Sequence, residues 1–181
     1  VKVPENYTLI YDSEFIRERV AELALEIQQW LVAEKLDGQL LAVCVLRGAT
    51  FFYSDLLRQL DVSVEPSYCF AQSYDPESNT QSGEFVSSAE KIEVSKRCVL
   101  LVDDICDTGK TLEHLSKSFI ESGAQSVRTA VLINRKIKSP KFEPDWSGIE
   151  HVGDEWFVGF GMDDKNAYAN LPQIYVLEKS K

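Results

Sequence analysis

Over residues 13–36, Ile16, Val20, Leu23, Ala24, Ile27, Trp30 and Leu31 recur at helical spacing with charges between them. That spacing predicts one amphipathic helix, started by Asp12 or Ser13 as a cap. The pattern then changes to a continuous apolar run, Leu40-Leu41-Ala42-Val43-Cys44-Val45-Leu46, as in strands covered on both faces. Arg47-Gly48 interrupts it, residues 51–60 return to helical spacing, and residues 62–68 predict a further strand. From 73 to 88 the chain turns polar, rich in Ser, Asn, Gln, Pro and Gly, with little a core could use. A loop of that length is expected to be exposed and functional or disordered.

Beyond the loop, 99–102 predicts a strand, 111–122 a helix ended by Gly123, and 127–133 a strand again. Strand, helix, strand around an apolar centre is the pattern of a parallel α/β sheet. The last part of the chain is irregular around Pro140 and Pro144, with short strands expected at 156–160 and 174–177.

A length of 181 residues with 44% hydrophobic composition suits a single domain, 1–181. The net charge of −10 would repel nucleic acid unless the few cations clustered, and the densest cationic stretch, 135–141, is modest. No nucleic-acid partner is therefore expected. The four cysteines, Cys44, Cys69, Cys98 and Cys106, have no CxxC spacing, and Cys44 and Cys98 sit in or beside apolar strands. They read as reduced core thiols. No apolar run is long enough for a bilayer and the first residues lack a signal pattern, so no membrane partner and a cytoplasmic location are expected.

The chemistry concentrates in Val99-Leu100-Leu101-Val102-Asp103-Asp104-Ile105-Cys106-Asp107-Thr108-Gly109-Lys110-Thr111. Ligands of open α/β sheets bind beyond the carboxyl ends of strands, where this pattern places Asp103, Asp104 and Asp107. Thr108, Gly109 and Thr111 then open a helix whose free N–H groups favour an anion. Carboxylates beside an anion cradle suit a sugar phosphate. On residue types alone, a solvated Asp pair and a helix cap at Asp107-Thr108 account for the same pattern. Gly109-Lys110-Thr111 imitates the end of a P-loop, but the earlier glycine that motif needs is here Asp104, which excludes it.

This stretch closely resembles the phosphoribosyl pyrophosphate signature of type I phosphoribosyltransferases, with Ile-Cys-Asp-Thr-Gly similar to the hypoxanthine-guanine branch. Leu46-Arg47-Gly48 resembles that family's pyrophosphate loop, Ser73-Tyr74 the start of its mobile catalytic loop, and the segment from Trp156 through Asp163 its purine-binding segment. Asn170-Leu171-Pro172 and the strand 174–177 match its usual ending.

The resemblance implies a parallel-sheet α/β fold with a small hood built from the chain ends. It also implies Mg2+-dependent transfer of ribose 5-phosphate from phosphoribosyl pyrophosphate to a six-oxo purine, and a homo-oligomer, dimer or tetramer. Asp103 and Asp104 would hold the ribose hydroxyls, directly or through Mg2+, with Asp163 a further metal ligand. Asp107, Thr108, Gly109, Lys110 and Thr111 would hold the 5-phosphate, and Asp107 would take or share the purine imidazole proton. Arg47 and Gly48 would face pyrophosphate. Trp156 would stack on the base, backbone groups of Phe157 and Asp163 would address its edge, and the 73–88 loop, with Ser73 and Tyr74, would close over the site. The family's purine-reading lysine falls on Arg135, with Lys136 next to it, and its pyrophosphate-contacting arginine falls on Ala169. Either Lys165 substitutes for that arginine or pyrophosphate is held less tightly. Rival readings are a transferase for another base such as xanthine, an RNA-binding regulator of the same fold, which −10 disfavours, and a phosphorylation receiver, for which no separate acceptor aspartate follows 40–46.

Overall fold

A computed structural model of the chain describes residues 1–34, 40–72 and 86–177. Its elements in chain order are β1 (Tyr7–Tyr11), α1 (Ser13–Ala33), β2 (Leu40–Leu46), α2 (Thr50–Leu57), β3 (Val64–Gln72), β4 (Val86–Ser87), β5 (Cys98–Cys106), α3 (Lys110–Glu121), β6 (Ser126–Arg135), β7 (Trp146–His151), β8 (Phe157–Val158) and β9 (Ile174–Leu177). A single 3-10 turn, Ala89–Lys91, precedes β5.

The main sheet has the order β4-β3-β2-β5-β6-β7, parallel throughout except for the short β4. β2 and the first part of β5, Cys98–Val102, are apolar along their length because both faces are covered. On one face Leu40, Ala42, Cys44, Leu100 and Val102 pack against α1 and α2. On the other, Leu41, Val43, Val99 and Leu101 meet Leu112, Leu115 and Phe119 of α3. A second, antiparallel sheet, β1-β9-β8, joins the two ends of the described chain. Ile10, Ile174, Val176 and Phe157 from that sheet pack on the first of these clusters.

Local chemistry explains the ends of the helices. Asp12 caps α1 by accepting from the Phe15 N–H at 2.8 Å, as the sequence predicts. α1 is assigned to Ala33 with Glu34 as its cap, and the last expected positions, 35 and 36, lie outside the described residues. α2 stops at Leu57, short of the expected residue 60, because Gln59 and Leu60 donate to carbonyls three residues back and tighten the last turn. α3 ends in a Schellman arrangement: Gly123 lies at φ +90°, its N–H bonds the Ile120 carbonyl, and the Ala124 N–H bonds that of Phe119.

Strand boundaries follow pairing partners more than composition. β3 begins and ends later than expected because Leu40 aligns with Val64 and Leu46 with Phe70. β5 runs to Cys106, not Val102, because β6 pairs with it as far as Cys106–Asn134. Asp103 and Asp104 therefore lie inside the strand, a correction to their expected place beyond its end. β1, β4 and β7 carry no strand expectation; β4 falls in the stretch read as loop. β8 is shorter than the expected 156–160, since positive φ at Gly159, Phe160 and Gly161 turns the chain there. β9 matches.

Candidate active site

From the centre of the sheet, β2 is followed by a helix and a strand on one side, and β5 by a helix and a strand on the other. The crevice between β2 and β5 is thus the topological switch point, where open α/β sheets bind ligands. A cavity of about 310 Å³ opens there. Its lining includes Arg47 and Gly48 after β2, Asp104, Ile105 and Asp107 at the end of β5, and Arg135 at the end of β6. Glu155, Trp156, Phe157, Met162 and Asp163 close the remaining side.

The loop after β2 turns sharply, with a cis peptide at Leu46-Arg47, and Thr50 secures it through Oγ1 to the Arg47 carbonyl at 2.6 Å. Gly48 has no room for a side chain: a Cβ there would collide with the Asp104 carboxylate, and one on Gly161 would collide with the Gly48 carbonyl. Gly48 thus lies directly against the Asp104 carboxylate on one side and the Gly161 backbone on the other. Arg47 donates to the Asn166 side-chain oxygen at 2.9 Å, which ties the loop to the 163–168 turn. The Tyr7 hydroxyl of β1 braces that turn by donating to Asp164 at 2.8 Å.

Along β5, Asp104 lines the cavity, while Asp103 is buried and accepts the Asp104 backbone N–H at 2.9 Å. Burial pushes both carboxyls above the ordinary carboxylate range, and at Asp103 the neighbouring Asp104 charge adds to the rise. After the strand, Asp107 and Thr108 are exposed and Gly109 is buried at φ +79°, starting α3. A side chain at Gly109 would strike Phe142, whose segment is strapped over the loop by Lys141 N–H to the Thr108 carbonyl at 2.8 Å. Thr108, Gly109, Lys110 and Thr111 form the helix start beside the cavity, where the Lys110 N–H reaches Thr108 Oγ1 at 3.5 Å and the positive end of the helix dipole suits an anion.

Arg135, with a side chain 12% exposed, points into the site and is heavily committed. Nε donates to Asp107 at 2.5 Å, the terminal nitrogens donate to the Gly153 and Glu155 carbonyls at 2.5 and 3.1 Å, and the guanidinium lies 4.8 Å from the Phe157 ring centroid. Lys136, the alternative at sequence level, is held elsewhere, by Glu150 at 3.1 Å and Glu143 at 3.6 Å. Trp156 is 63% exposed, open for stacking, and its indole N–H donates to the Asp163 carbonyl at 3.1 Å. One of the Asp163 backbone groups, among those expected to address a purine edge, is thus engaged within the protein. Phe157 is buried beneath Arg135, and the Asp163 carboxylate accepts from the Asn166 N–H at 2.6 Å. Ala169 is half-buried and its carbonyl accepts from Gly161; Lys165 is exposed.

Most expected residues therefore converge on one crevice. Ser73 and Tyr74 lie outside the described residues, as does 73–85 of the expected closing loop. Glu155 and Met162 also line the cavity without a site expectation from the sequence. Met162 lies within the purine-segment resemblance, but nothing in the local sequence marks Glu155, which reaches the cavity only through the turn after β7. Among the described residues no group of three or more His, Cys, Asp or Glu forms a ready-made metal site. Asp104 and Asp163, facing one cavity, supply the oxygen donors that suit Mg2+, an ion that keeps several waters and binds through one or two carboxylates plus substrate phosphates.

Residues 7–165 match the family model described as phosphoribosyl transferase domain. The chain is 33% identical to hypoxanthine-guanine-xanthine phosphoribosyltransferase of Tritrichomonas foetus, covering 95% of this chain and 92% of that protein. It is also 33% identical to hypoxanthine-guanine phosphoribosyltransferase of Bacillus subtilis, over 94% and 92% of the two chains. Among solved structures, hypoxanthine phosphoribosyltransferase from Trypanosoma cruzi in complex with the product IMP superposes with a TM-score of 0.85 at 26% identity, covering 98% of each chain.

Proposed function

The chain belongs to the phosphoribosyl transferase family, and on that premise we propose that it salvages purines, transferring ribose 5-phosphate from phosphoribosyl pyrophosphate to hypoxanthine or guanine to give IMP or GMP and pyrophosphate. The observation that carries this reading is the convergence of Arg47, Gly48, Asp104, Asp107, Arg135, Trp156 and Asp163 on one crevice at the switch point, beside the Thr108–Gly109 helix start.

The 5-phosphate sits against the N–H groups and hydroxyls of 107–111, and pyrophosphate against Arg47 and the backbone at Gly48. Asp104 serves the ribose side from the cavity wall, and Asp103 behind it holds the Asp104 N–H. As the sugar–pyrophosphate bond breaks, positive charge grows on the ribose. A carboxylate held about 4 Å from a unit positive charge contributes roughly 4 kcal/mol at an effective dielectric of about 20. Preplaced charge of this kind lowers the barrier because nothing must reorganise at the moment of reaction. One imidazole nitrogen of the purine attacks while Asp107 takes or shares the proton on the other. Arg135 fixes Asp107 through Nε and offers its remaining N–H groups to the six-oxo carbonyl. Trp156 covers the base face.

Mg2+ fits the oxygen donors of Asp104 and Asp163, and bound there it would neutralise charge on the departing pyrophosphate. The small β1-β9-β8 sheet acts as the hood, and residues 1–181 form one catalytic domain. Tyr68 and Phe70, exposed on one face of β3, support assembly into a dimer or tetramer, which sedimentation would count. Four free, buried cysteines accord with a reducing, cytoplasmic setting.

The test is direct. With phosphoribosyl pyrophosphate, Mg2+ and each common base in turn, hypoxanthine and guanine should yield nucleotide and adenine should not. Xanthine nucleotide formation would widen the substrate range, and good use of adenine would overturn the base assignment.

A further inference from the structure

Arg135 is oriented by a turn on another part of the chain, and that turn is itself held by a histidine that does not line the cavity. His151, the last residue of β7, is the cross-strand partner of Arg135, and its carbonyl accepts the Lys136 N–H at 2.8 Å. The imidazole is 15% exposed and both its nitrogens are used. Nε2 lies 2.9 Å from Glu155 Oε2 and Nδ1 lies 3.0 Å from the Tyr11 hydroxyl of β1. A carboxylate only accepts, so Nε2–H donates to Glu155; in the neutral ring Nδ1 then accepts the Tyr11 hydroxyl proton. The contact also holds the Glu155 carboxyl below its ordinary value. The ring edge rests on Phe157 at 4.9 Å, beneath the Arg135 guanidinium.

The turn is clamped at two places. Arg135 takes the Gly153 and Glu155 carbonyls, and His151 takes the Glu155 carboxylate. Gly153 sits at φ +145°, a permissive conformation, so the shape of the turn depends on its contacts. We infer that His151, steadied by Tyr11, is a positioning residue for purine recognition: by fixing the 153–155 turn it sets the carbonyls that orient Arg135 toward the base. The inference rests on the proposed function and adds to it two residues that touch no substrate.

The experiment is steady-state kinetics on the full chain, varying hypoxanthine at saturating phosphoribosyl pyrophosphate and then the reverse. His151→Ala should raise the KM for hypoxanthine about tenfold, the order of one lost hydrogen bond to a charged group. The KM for phosphoribosyl pyrophosphate should stay within about twofold. His151→Gln, whose amide can still donate to Glu155, should recover most of the loss. Tyr11→Phe keeps the ring that stacks on Phe15 at 5.4 Å and loses only the hydroxyl; it should raise the hypoxanthine KM about threefold. In the His151→Ala background it should add nothing, because Tyr11 acts through His151.

A parallel rise of both KM values would mean general loosening and would overturn the inference, as would an unmoved hypoxanthine KM in the single variants. Should His151→Ala not fold, Tyr11→Phe and Glu155→Gln decide by the same comparison. If the unmodified protein turns over no six-oxo purine, the proposed function fails and this inference with it. Normal turnover with unresponsive variants sinks the inference alone.

Discussion

The two sides of the crevice are built in different ways. The phosphate side is one continuous piece of chain, from the end of β5 through Asp107 to the first turn of α3, with one outside brace at Lys141 and Phe142. The base side has no continuous core. It takes Arg135 from β6, a turn after β7, Phe157 from β8 and, behind them, Tyr11 from β1. On the proposed function, a ribose phosphate is gripped by a strand, a turn and a helix start in sequence, whereas the edge of a base is met by side chains whose directions are set by distant neighbours.

Asp107 is where the two sides touch, through Arg135, so it tests the division hardest. Asp107→Asn keeps the shape and removes the charge, and kcat should fall roughly 10²-fold or more with little change in the KM for phosphoribosyl pyrophosphate. Unchanged kcat would remove Asp107 from the chemistry and leave it a partner of Arg135.

The phosphate side should be sensitive to backbone shape. Gly109→Ala places a side chain at φ +79° and against the Phe142 backbone, so about 2 kcal/mol of stability should be lost in denaturant unfolding. A loss below about 0.5 kcal/mol would mean that the strap at Phe142 yields freely, and that this side is less rigid than its contacts indicate.

The base side should respond in selectivity more than in stability. If Arg135 reads the base as proposed, Arg135→Ala leaves the six-oxo carbonyl without its donor, so hypoxanthine use should fall about tenfold in kcat/KM while the advantage over adenine narrows. Lys136, tied to Glu143 and Glu150, should tolerate alanine with little effect on either base. A crippled Lys136→Ala protein would place base reading one residue later.

The smallest effect is one of stability. The folded-state pKa of Asp103 is raised above its ordinary 3.8 by burial, so its contribution to stability is fully present below that value and is lost as pH rises through the folded value. Between that ordinary value and neutrality the buried carboxyl therefore becomes steadily more costly to the ligand-free protein. Asp103→Asn should raise Tm by about 2–4 °C at neutral pH, or roughly 1 kcal/mol, and the gain should shrink in acid, where the carboxyl is already neutral. An equal gain at both pH values would assign the effect to packing.

The same division decides what could be read in advance. Leu40–Leu46 and α3 were legible because apolar runs, periodicity and the Gly123 stop are local signals, and the phosphate motif is local too. β1 and β7 were not, because Tyr7–Tyr11 and Trp146–His151 become strands by pairing with β9 and β6. The extension of β5 through two aspartates likewise needed its neighbour β6. The family's purine-reading position falls on Arg135, with Lys136 one residue away as the alternative register. They are separated only by Glu143 and Glu150 on one side and by Asp107, Gly153 and Glu155 on the other.

The pairing of Tyr7 with Leu177 sets an order of events during synthesis. β1 leaves the ribosome well before β9, on the order of ten seconds at about 5–20 residues per second. Until β9 arrives, the strand carrying Tyr7 and Tyr11 has no sheet to join. The Asp107–Thr111 turn and α3 need only β5 and its neighbours, all made before β9, whereas the β1 segment behind His151 gains its sheet partner last.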